Sequence, residues 1–364
     1  MAYTTVDDPS EHTQSIIYNA TGGDGGASQP TTITNTGNAD LQPDFIWFFE
    51  FSAGYGNAIV DSTRTRSKYL YPDVVNAEVT TGSTAYDVVS FDSDGFKVGA
   101  PSAANSTNGG TTQKLAVQYK ANGGTTSSFT ESGNNPGGTI QTNATAGFSI
   151  ISYTGTGGPG NIAHGLPSAP ELVIFKNRGT TNVWATYHVG LGDDLKLVLN
   201  ANDAKDADGS FMNSIIPDAT NIRAGDSNNP NTNADAGTYM CYAWSPIQGY
   251  SKFGSYTGNG NADGTFVYTG FKPAWIMVKN ITDSGVSWMI QDHKRDIDNP
   301  VHHRLKANDS AAEATNINQM DFLSNGFKCR VNDSSWNLSG KTYIYMAFAE
   351  HPFTTSTGIP TTAR

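Results

Sequence analysis

A segment that recurs three times constrains this chain more than any other feature of its sequence. In each copy a proline comes just before a strongly apolar run, at Pro43, Pro170 and Pro273. Each copy is about a hundred residues long, which is enough for a domain, whereas solenoid repeats span roughly 20–50 residues. The chain of 364 residues is therefore expected to hold three consecutive domains.

Matches at later positions support the repeat. After the proline, each copy has an apolar run, then a second landmark, and then a final apolar strand. The apolar runs are Phe45–Phe49, Leu172–Phe175 and Trp275–Val278, the second landmarks are Gly95–Val98, Asn221–Ala224 and Gly326–Cys329, and the final strands are Leu115–Tyr119, Tyr239–Trp244 and Tyr343–Phe348. The first copy matches least well.

The apolar segments are short and are bounded by turn-forming residues. Glycine accounts for 39 residues and only 15% of the chain is charged, so Asn, Ser, Thr and Gly must cover much of the surface. Short strands at regular spacing with frequent turn signals are typical of β-sandwiches and barrels. The sequence therefore predicts an all-β protein of three tandem antiparallel β-sandwich domains.

The predicted boundaries follow from these matches and from composition. A polar stretch rich in Gly, Ser, Thr and Asn separates the first two repeats, whereas only Ile247 and Gln248 separate the last two. We expect beads on a string, with the first repeat set apart. The predicted segments are an N-terminal arm at 1–13, repeat 1 at 14–120, a linker at 121–146, repeat 2 at 147–246, repeat 3 at 249–353 and a polar tail at 354–364.

Charge and composition argue against several classes of partner. The formal net charge of −11 disfavours nucleic acid, since phosphate binding needs a basic face. No apolar run has the length of a membrane span, and the first residues lack the basic start and apolar centre of a signal peptide. Cys241 and Cys329 lie in predicted strands, where we expect them to be small buried apolar residues.

Catalytic motifs are not evident. Gly155–Gly160 fits G-x-G-x-x-G, but no helix follows to direct its N-terminus at a pyrophosphate, so a hairpin turn is expected. Glu50 ends an apolar strand and is the one carboxylate considered for glycoside hydrolysis, which requires a second carboxylate. The sequence therefore predicts a protein that is not an enzyme.

Metal ligands are considered at two kinds of position. His302 and His303 are the only close histidine pair, and neighbours on a strand point to opposite faces, so we expect no shared metal. Two Asp-rich turns, Asp92–Gly95 and Asp206–Gly209, offer the oxygen ligands that calcium takes but lack EF-hand spacing. No cofactor is predicted, and a structural calcium ion at these turns is left open.

Two surface features are candidates for binding. Trp336 lies in a polar loop, unlike the tryptophans in strands, so we expect it to contact a ligand or partner. The arm is polar, cannot bury enough apolar surface to order itself, and is predicted to attach to a partner, most simply a sister subunit. The arm residues proposed for that contact are Tyr3, Val6, Asp7, Asp8 and Pro9.

Several segments resemble repeats of a known group of proteins. The segments Gly249–Gly260, Phe266–Trp275, Asp321–Phe327 and Thr342–Glu350 resemble repeats in virion structural proteins of marine tailed bacteriophages, and the opening Met1–Ser10 is similar to the start of such proteins. The resemblance covers nearly all of the chain and is strongest in the third repeat. It implies concanavalin-like or laminin-G-like jelly rolls and carries no catalytic residue.

The resemblance and the repeats together predict a virion surface protein, assembled in the host cytoplasm without a signal peptide. The first hypothesis is a non-enzymatic tail fibre or appendage that adheres to host-surface glycan. The alternatives are a capsid decoration protein, favoured by the absence of coiled-coil and collagen-like runs, and a glycan depolymerase. Expected partners are other virion proteins, further copies of the chain and a host cell-surface glycan, without nucleic acid or membrane insertion.

Overall fold

A computed structural model describes residues 2–21, 30–52, 56–81, 88–99, 107–110, 112–315 and 319–361. Within these residues the protein is all-β, as predicted, and its one helical element is a 3-10 helix at Pro9–Glu11. None of the helical structure described is long and apolar enough to cross a bilayer. Met1 of the predicted arm and residues 362–364 of the predicted tail lie outside the described ranges.

The first repeat forms a large sheet, a small sheet and a short two-stranded ladder. The strands are β1 (Thr13–Asn19), β2 (Thr31–Ile33), β3 (Phe45–Glu50), β4 (Ala58–Asp61), β5 (Lys68–Tyr69), β6 (Val79–Thr80), β7 (Val88–Asp92), β8 (Gly95–Val98) and β9 (Gln113–Tyr119). The large sheet has the order β1-β9-β3-β4, the small sheet β2-β8-β7, and the ladder joins β5 to β6.

The other two repeats follow the same scheme. The strands that follow are β10 (Ser127–Phe129), β11 (Gly137–Asn143), β12 (Phe148–Thr154), β13 (Gly160–Ala163), β14 (Leu172–Asn177), β15 (Trp184–His188), β16 (Leu195–Val198), β17 (Asp206–Ala207), β18 (Asn221–Ala224) and β19 (Thr238–Trp244). The third repeat has β20 (Ser251–Thr257), β21 (Phe266–Tyr268), β22 (Phe271–Asn280), β23 (Met289–Asp292), β24 (Leu305–Lys306), β25 (Met320–Leu323), β26 (Gly326–Cys329) and β27 (Thr342–Pro352).

Corresponding strands take corresponding places in these sheets. The second repeat has a large sheet of order β10-β11-β12-β19-β14-β15-β16-β17 and a small sheet β13-β18. The third has β20-β27-β22-β23-β24 and β21-β26-β25. The last strand of each repeat pairs antiparallel with its first strand and with the apolar run, so β9, β19 and β27 are equivalent.

Each repeat has an apolar core between its two sheets. In the first repeat Ile46 and Phe48 of the large sheet pack with Phe96 and Val98 of the small sheet. Ile222 and Phe327 are the corresponding small-sheet residues in the other two cores. Burying one face of each sheet against the other gives a β-sandwich-like unit. Cys241 and Cys329 are free and buried in two of these cores.

A fourth apolar core joins all three repeats. It is formed by the other faces of the three large sheets, including the equivalent side chains Tyr119, Trp244 and Phe348. The ring centroid of Tyr119 lies 5.9 Å from that of Trp244 and 5.0 Å from that of Phe348. The expectation of beads on a string with a detached first repeat is therefore wrong, because the second faces of the sheets are apolar and bury one another.

The contacts between repeats run head to tail and close a ring. Trp184 of the second repeat donates its indole N–H to the Tyr71 carbonyl of the first at 3.0 Å, and Trp288 of the third donates to Val198 of the second at 3.1 Å. Asn57 occupies the equivalent place in the first repeat and donates to the Lys306 carbonyl of the third at 2.9 Å. A head-to-tail interface that returns to its start forms a closed ring.

The segment predicted as a linker, residues 121–146, contains β10 and β11, which extend the large sheet of the second repeat. The buried carboxylate of Asp44 accepts backbone N–H groups from Ala121, Gly123 and Gly124 at 2.6–2.8 Å. Gly123 and Gly124 have φ of +60° and +79°, which side chains disfavour. The polar composition that suggested a flexible linker instead provides a tight turn around a carboxylate.

Candidate functional site at the junction of the first and third repeats

The structure does not place Trp336 at the surface. Its side chain is fully buried in the core of the third repeat, and its carbonyl accepts a hydrogen bond from Tyr256 Oη at 2.7 Å. Asp333 Oδ1 accepts the backbone N–H groups of Ser335 and Trp336, and this turn directs the tryptophan inward. The expected ligand or partner contact by Trp336 is therefore wrong, because the loop closes the end of the sandwich.

The predicted arm packs on the third repeat of its own chain. Tyr3 Oη donates to the Gly270 carbonyl at 2.6 Å, and Val6 is 2% exposed and belongs to the core shared by the three repeats. Asp7 accepts the Ser356 N–H at 2.6 Å. The expectation that another subunit must order the arm is wrong. Val6 buries its apolar surface within the chain, and the polar groups of Tyr3 and Asp7 form hydrogen bonds with the third repeat and the residues that follow it.

The end of the arm forms one wall of a cavity. Pro9 is buried at the start of the 3-10 helix, and Asp8 Oδ1 accepts the Ser10 N–H at 2.9 Å as the N-cap. Asp8 Oδ2 accepts a hydrogen bond from Asn38 Nδ2 at 2.7 Å. Burial would raise the pKa of Asp8, but the hydrogen bonds from Ser10 and Asn38 lower it below its ordinary value, so the carboxylate stays charged.

The cavity lies where the arm, the first repeat and the third repeat meet, and its volume is about 250 Å³. Trp275 and Phe348 contribute its apolar side and belong to the shared core. The polar side combines groups from all three parts of the junction, and the residues that define it here are Asp8, Gln14, Asn38, His293, Lys294 and Glu350.

Glu350 and His293 set the charge on the third-repeat side of the cavity. Glu350 Oε2 lies 2.5 Å from Lys272 Nζ, and Oε1 lies 3.7 Å from His293 Nε2. Burial would raise the pKa of Glu350, but His293 and Lys272 hold it below its usual value. Burial lowers the pKa of His293 despite the nearby Glu350. The site therefore presents a carboxylate beside an imidazole that is neutral at pH 7.

Two buried nitrogen atoms of the lining residues lack a hydrogen-bond partner within the described part of the chain. They are Nε1 of Trp275 and Nδ1 of His293. Buried polar groups are nearly always hydrogen-bonded to protein or ordered water. Both nitrogen atoms belong to residues that line the cavity, which makes this junction the candidate binding site.

The adjacent histidines do not diverge as their sequence positions suggested. His302 and His303 lie outside the strands, and both rings approach Asp296. A ligand atom from each of the three residues lies within 4.8 Å of the other two. The rule that neighbours point to opposite faces holds for extended strands, and this loop is not one.

The carboxylates considered from sequence already have protein partners. Glu50 forms a buried ion pair with Lys114, Asp94 accepts the Leu41 N–H at 3.3 Å, and Asp92 accepts a hydrogen bond from Ser90 at 2.6 Å. At the second Asp-rich turn Asp208 lies 2.9 Å from Lys196 Nζ. The structure thus gives these side chains structural contacts in the sandwiches.

Sequence reasoning missed the junction because its residues come from distant segments. Asp8, Asn38, Trp275, His293 and Glu350 share no motif, and no single repeat contains them all. One signal was present: β3 and β14 are buried at every position, as are the last six residues of β22. A nearly continuous apolar run indicates a strand covered on both faces, and hence a sheet that packs on two sides.

No curated protein matches the chain, and no solved structure does. One family model matches, from residue 8 to residue 352. This range begins at the cavity-lining end of the arm and includes the strands of all three repeats. The chain therefore belongs to the family described as a domain of unknown function (DUF7483).

Proposed function

We propose that the protein is a non-enzymatic structural protein of a bacteriophage virion surface, a tail fibre or related appendage that adheres to host-surface glycan. The observation that carries the binding function is the junction cavity, where buried Trp275 Nε1 and His293 Nδ1 have no partner within the described residues. The virion location rests on the resemblance of the repeats to phage structural proteins.

The chemistry of the cavity supports a polar, neutral or cationic ligand of limited size. Its volume of about 250 Å³ is below the ~300–1,000 Å³ of pockets for drug-sized ligands. Asp8 and Glu350 supply acceptors, Asn38 and Gln14 supply amides, and the aromatic side is apolar. One sugar ring presents hydroxyl groups and an apolar face of this kind, so the cavity suits a terminal sugar residue.

Binding of the purified full chain to host cells and to their extracted glycans tests the proposal. We expect saturable binding that W275F and H293Q weaken at least about tenfold, which corresponds to about 1.4 kcal/mol. W275F removes the indole N–H and keeps an aromatic ring. Lys341→Ala is the matched control, because Lys341 precedes the opposite end of β27 from Glu350 and pairs with Asp283.

A capsid decoration protein is the second candidate. The observation in its favour is that the arm folds onto its own third repeat and the repeats close a compact ring, rather than presenting an extended shaft. Labelled antibody on intact virions locates the protein. Binding to empty capsids without affinity for cells or glycans would replace the fibre proposal, and release of sugar products from glycan would establish a depolymerase instead.

A further inference from the structure

The loop between β23 and β24 gathers one carboxylate and two imidazoles on a fixed backbone. The side chain of Arg295 at its start is buried and pairs with Asp292 at 2.6 Å and Glu313 at 2.7 Å. Val301 at its other side donates its N–H to the Met320 carbonyl at 2.7 Å. Both ends of the loop are therefore held by the third repeat before any ligand is considered.

The carboxylate of Asp296 is oriented by the histidine backbone. Its side chain is only 2% exposed, and Oδ2 accepts the backbone N–H groups of His302 at 2.9 Å and His303 at 2.6 Å. These two hydrogen bonds leave Oδ1 facing the imidazoles, with His303 Nδ1 at 2.5 Å and His302 Nδ1 at 3.3 Å. Hydrogen bonds that fix a ligating carboxylate are typical of metal sites.

We propose that Asp296, His302 and His303 bind a divalent transition-metal ion, with zinc as the preferred occupant. In a tetrahedral site with metal–ligand bonds of about 2.0–2.2 Å, neighbouring ligand atoms are about 3.3 Å apart. The distance from His302 Nδ1 to Asp296 Oδ1, 3.3 Å, already has this value, whereas the His303 ring must move outward from 2.5 Å. His302 Nδ1 must also give up its hydrogen bond to the Pro300 carbonyl at 3.1 Å and bind the metal unprotonated. His303 would then carry its proton on Nε2 instead of sharing it with Asp296.

The ligand types select the metal. Imidazole nitrogen suits zinc, cobalt, nickel and copper, whereas calcium and magnesium prefer sites made of oxygen ligands. The imidazoles are also accessible, since the His302 and His303 side chains are 40% and 26% exposed. An ion can therefore enter from solvent and complete its coordination with water, as in sites with three protein ligands.

The ion would stabilise a loop beside the junction. Asp296 lines a second cavity of about 120 Å³, and His293 lines both this cavity and the junction cavity. Metal binding would hold that wall in place. Asp296, His302 and His303 are not among the residues that line the junction cavity, so metal binding here is independent of the proposed function.

Metal titration of the full-length protein, after treatment with EDTA and its removal, tests the proposal. With zinc we expect one ion per chain by calorimetry and a higher Tm, and with cobalt a visible absorption band from nitrogen ligation. Calcium and magnesium should produce neither effect. H303Q and D296N each remove a direct ligand. They should weaken zinc binding at least about 100-fold, because changes to residues that only support the ligands already cost about 10–100-fold.

Asp298→Asn is the matched control for D296N. Asp298 lies in the same loop, is exposed, and is outside the cluster, so the variant changes charge equally and should bind zinc as the wild type does. If D296N does not fold, H302Q and H303Q decide the outcome. The proposal is overturned if no stoichiometric zinc binding occurs, or if the ligand variants bind zinc as tightly as D298N.

Discussion

At the scale of single residues, buried polar side chains connect the repeats. Lys176 Nζ donates to the Val75 carbonyl of the first repeat at 2.9 Å, and the equivalent Lys279 donates to the Asn202 carbonyl of the second at 3.4 Å. Burial lowers the pKa of each lysine to about 8. Such hydrogen bonds fix the register between repeats, because a buried lysine without its acceptors would be costly.

His188 connects the second and third repeats and predicts acid sensitivity. Its Nε2 donates to the Tyr345 carbonyl at 3.0 Å and its Nδ1 accepts the Gly190 N–H at 3.0 Å, so the ring is neutral. Burial lowers its pKa from 6.5 to about 4. The unfolded chain therefore binds more protons between pH 6.5 and 4, and the free energy of unfolding falls as the pH falls through this window.

We expect this histidine to account for up to about 3 kcal/mol of stability lost between pH 6.5 and pH 4, at about 1.4 kcal/mol per pKa unit. H188Q keeps a donor and an acceptor but does not titrate, so urea unfolding across this range should show a shallower pH dependence. The exposed His351 provides the control variant H351Q. Equal slopes for wild type and H188Q would contradict the assignment.

At the scale of elements, equivalent positions at the start of β4, β15 and β23 form the contacts between repeats. Asn57, Trp184 and Trp288 each donate to a carbonyl group of the neighbouring repeat. The first repeat uses the amide of Asn57 where the other two repeats use an indole. A comparison of the sequences therefore does not show that the three positions are equivalent. The structural equivalence survives because all three donors reach the same part of the neighbouring repeat.

Comparing two buried tryptophans tests this contact. Trp288→Phe removes the indole donor from the Val198 carbonyl, which keeps the Ala201 N–H at 3.2 Å. We therefore expect a loss of about 0.5–1.5 kcal/mol beyond the change in volume. Trp336→Phe is the matched control, since Trp336 is equally buried but its Nε1 has no partner among the described residues. Chemical denaturation measures both. If W336F costs as much as W288F, the interface hydrogen bond adds little.

At the scale of the whole molecule, the shared core makes the three repeats interdependent. An isolated third repeat would expose one face of its large sheet. The apolar residues of this face belong to the shared core and include Tyr250, Phe253, Met277, Trp288 and Phe348. Exposed apolar patches of this kind are unfavourable in soluble proteins. The arm is part of the same unit, since Val6 also lies in the shared core.

We therefore expect the full chain to unfold in one cooperative transition. Scanning calorimetry should give a calorimetric enthalpy close to the van't Hoff enthalpy for the whole chain. As a second measurement, residues 249–353 expressed alone should aggregate or lack a sharp transition. Three resolved transitions in the full chain, or a stable isolated repeat, would contradict this expectation and show that the repeats are independent domains.

Local patterns in the sequence were enough to specify the strands and the threefold repetition. Turn residues and short apolar segments define all-β units, and equivalent strands occupy equivalent places in the sheets, because strand and turn preferences are local. The way the repeats meet was evident only from the folded chain. The second faces of the large sheets close on one another, the arm folds inward, Trp336 is buried, and His302 and His303 converge on Asp296. These outcomes depend on contacts between distant segments, which local patterns do not specify.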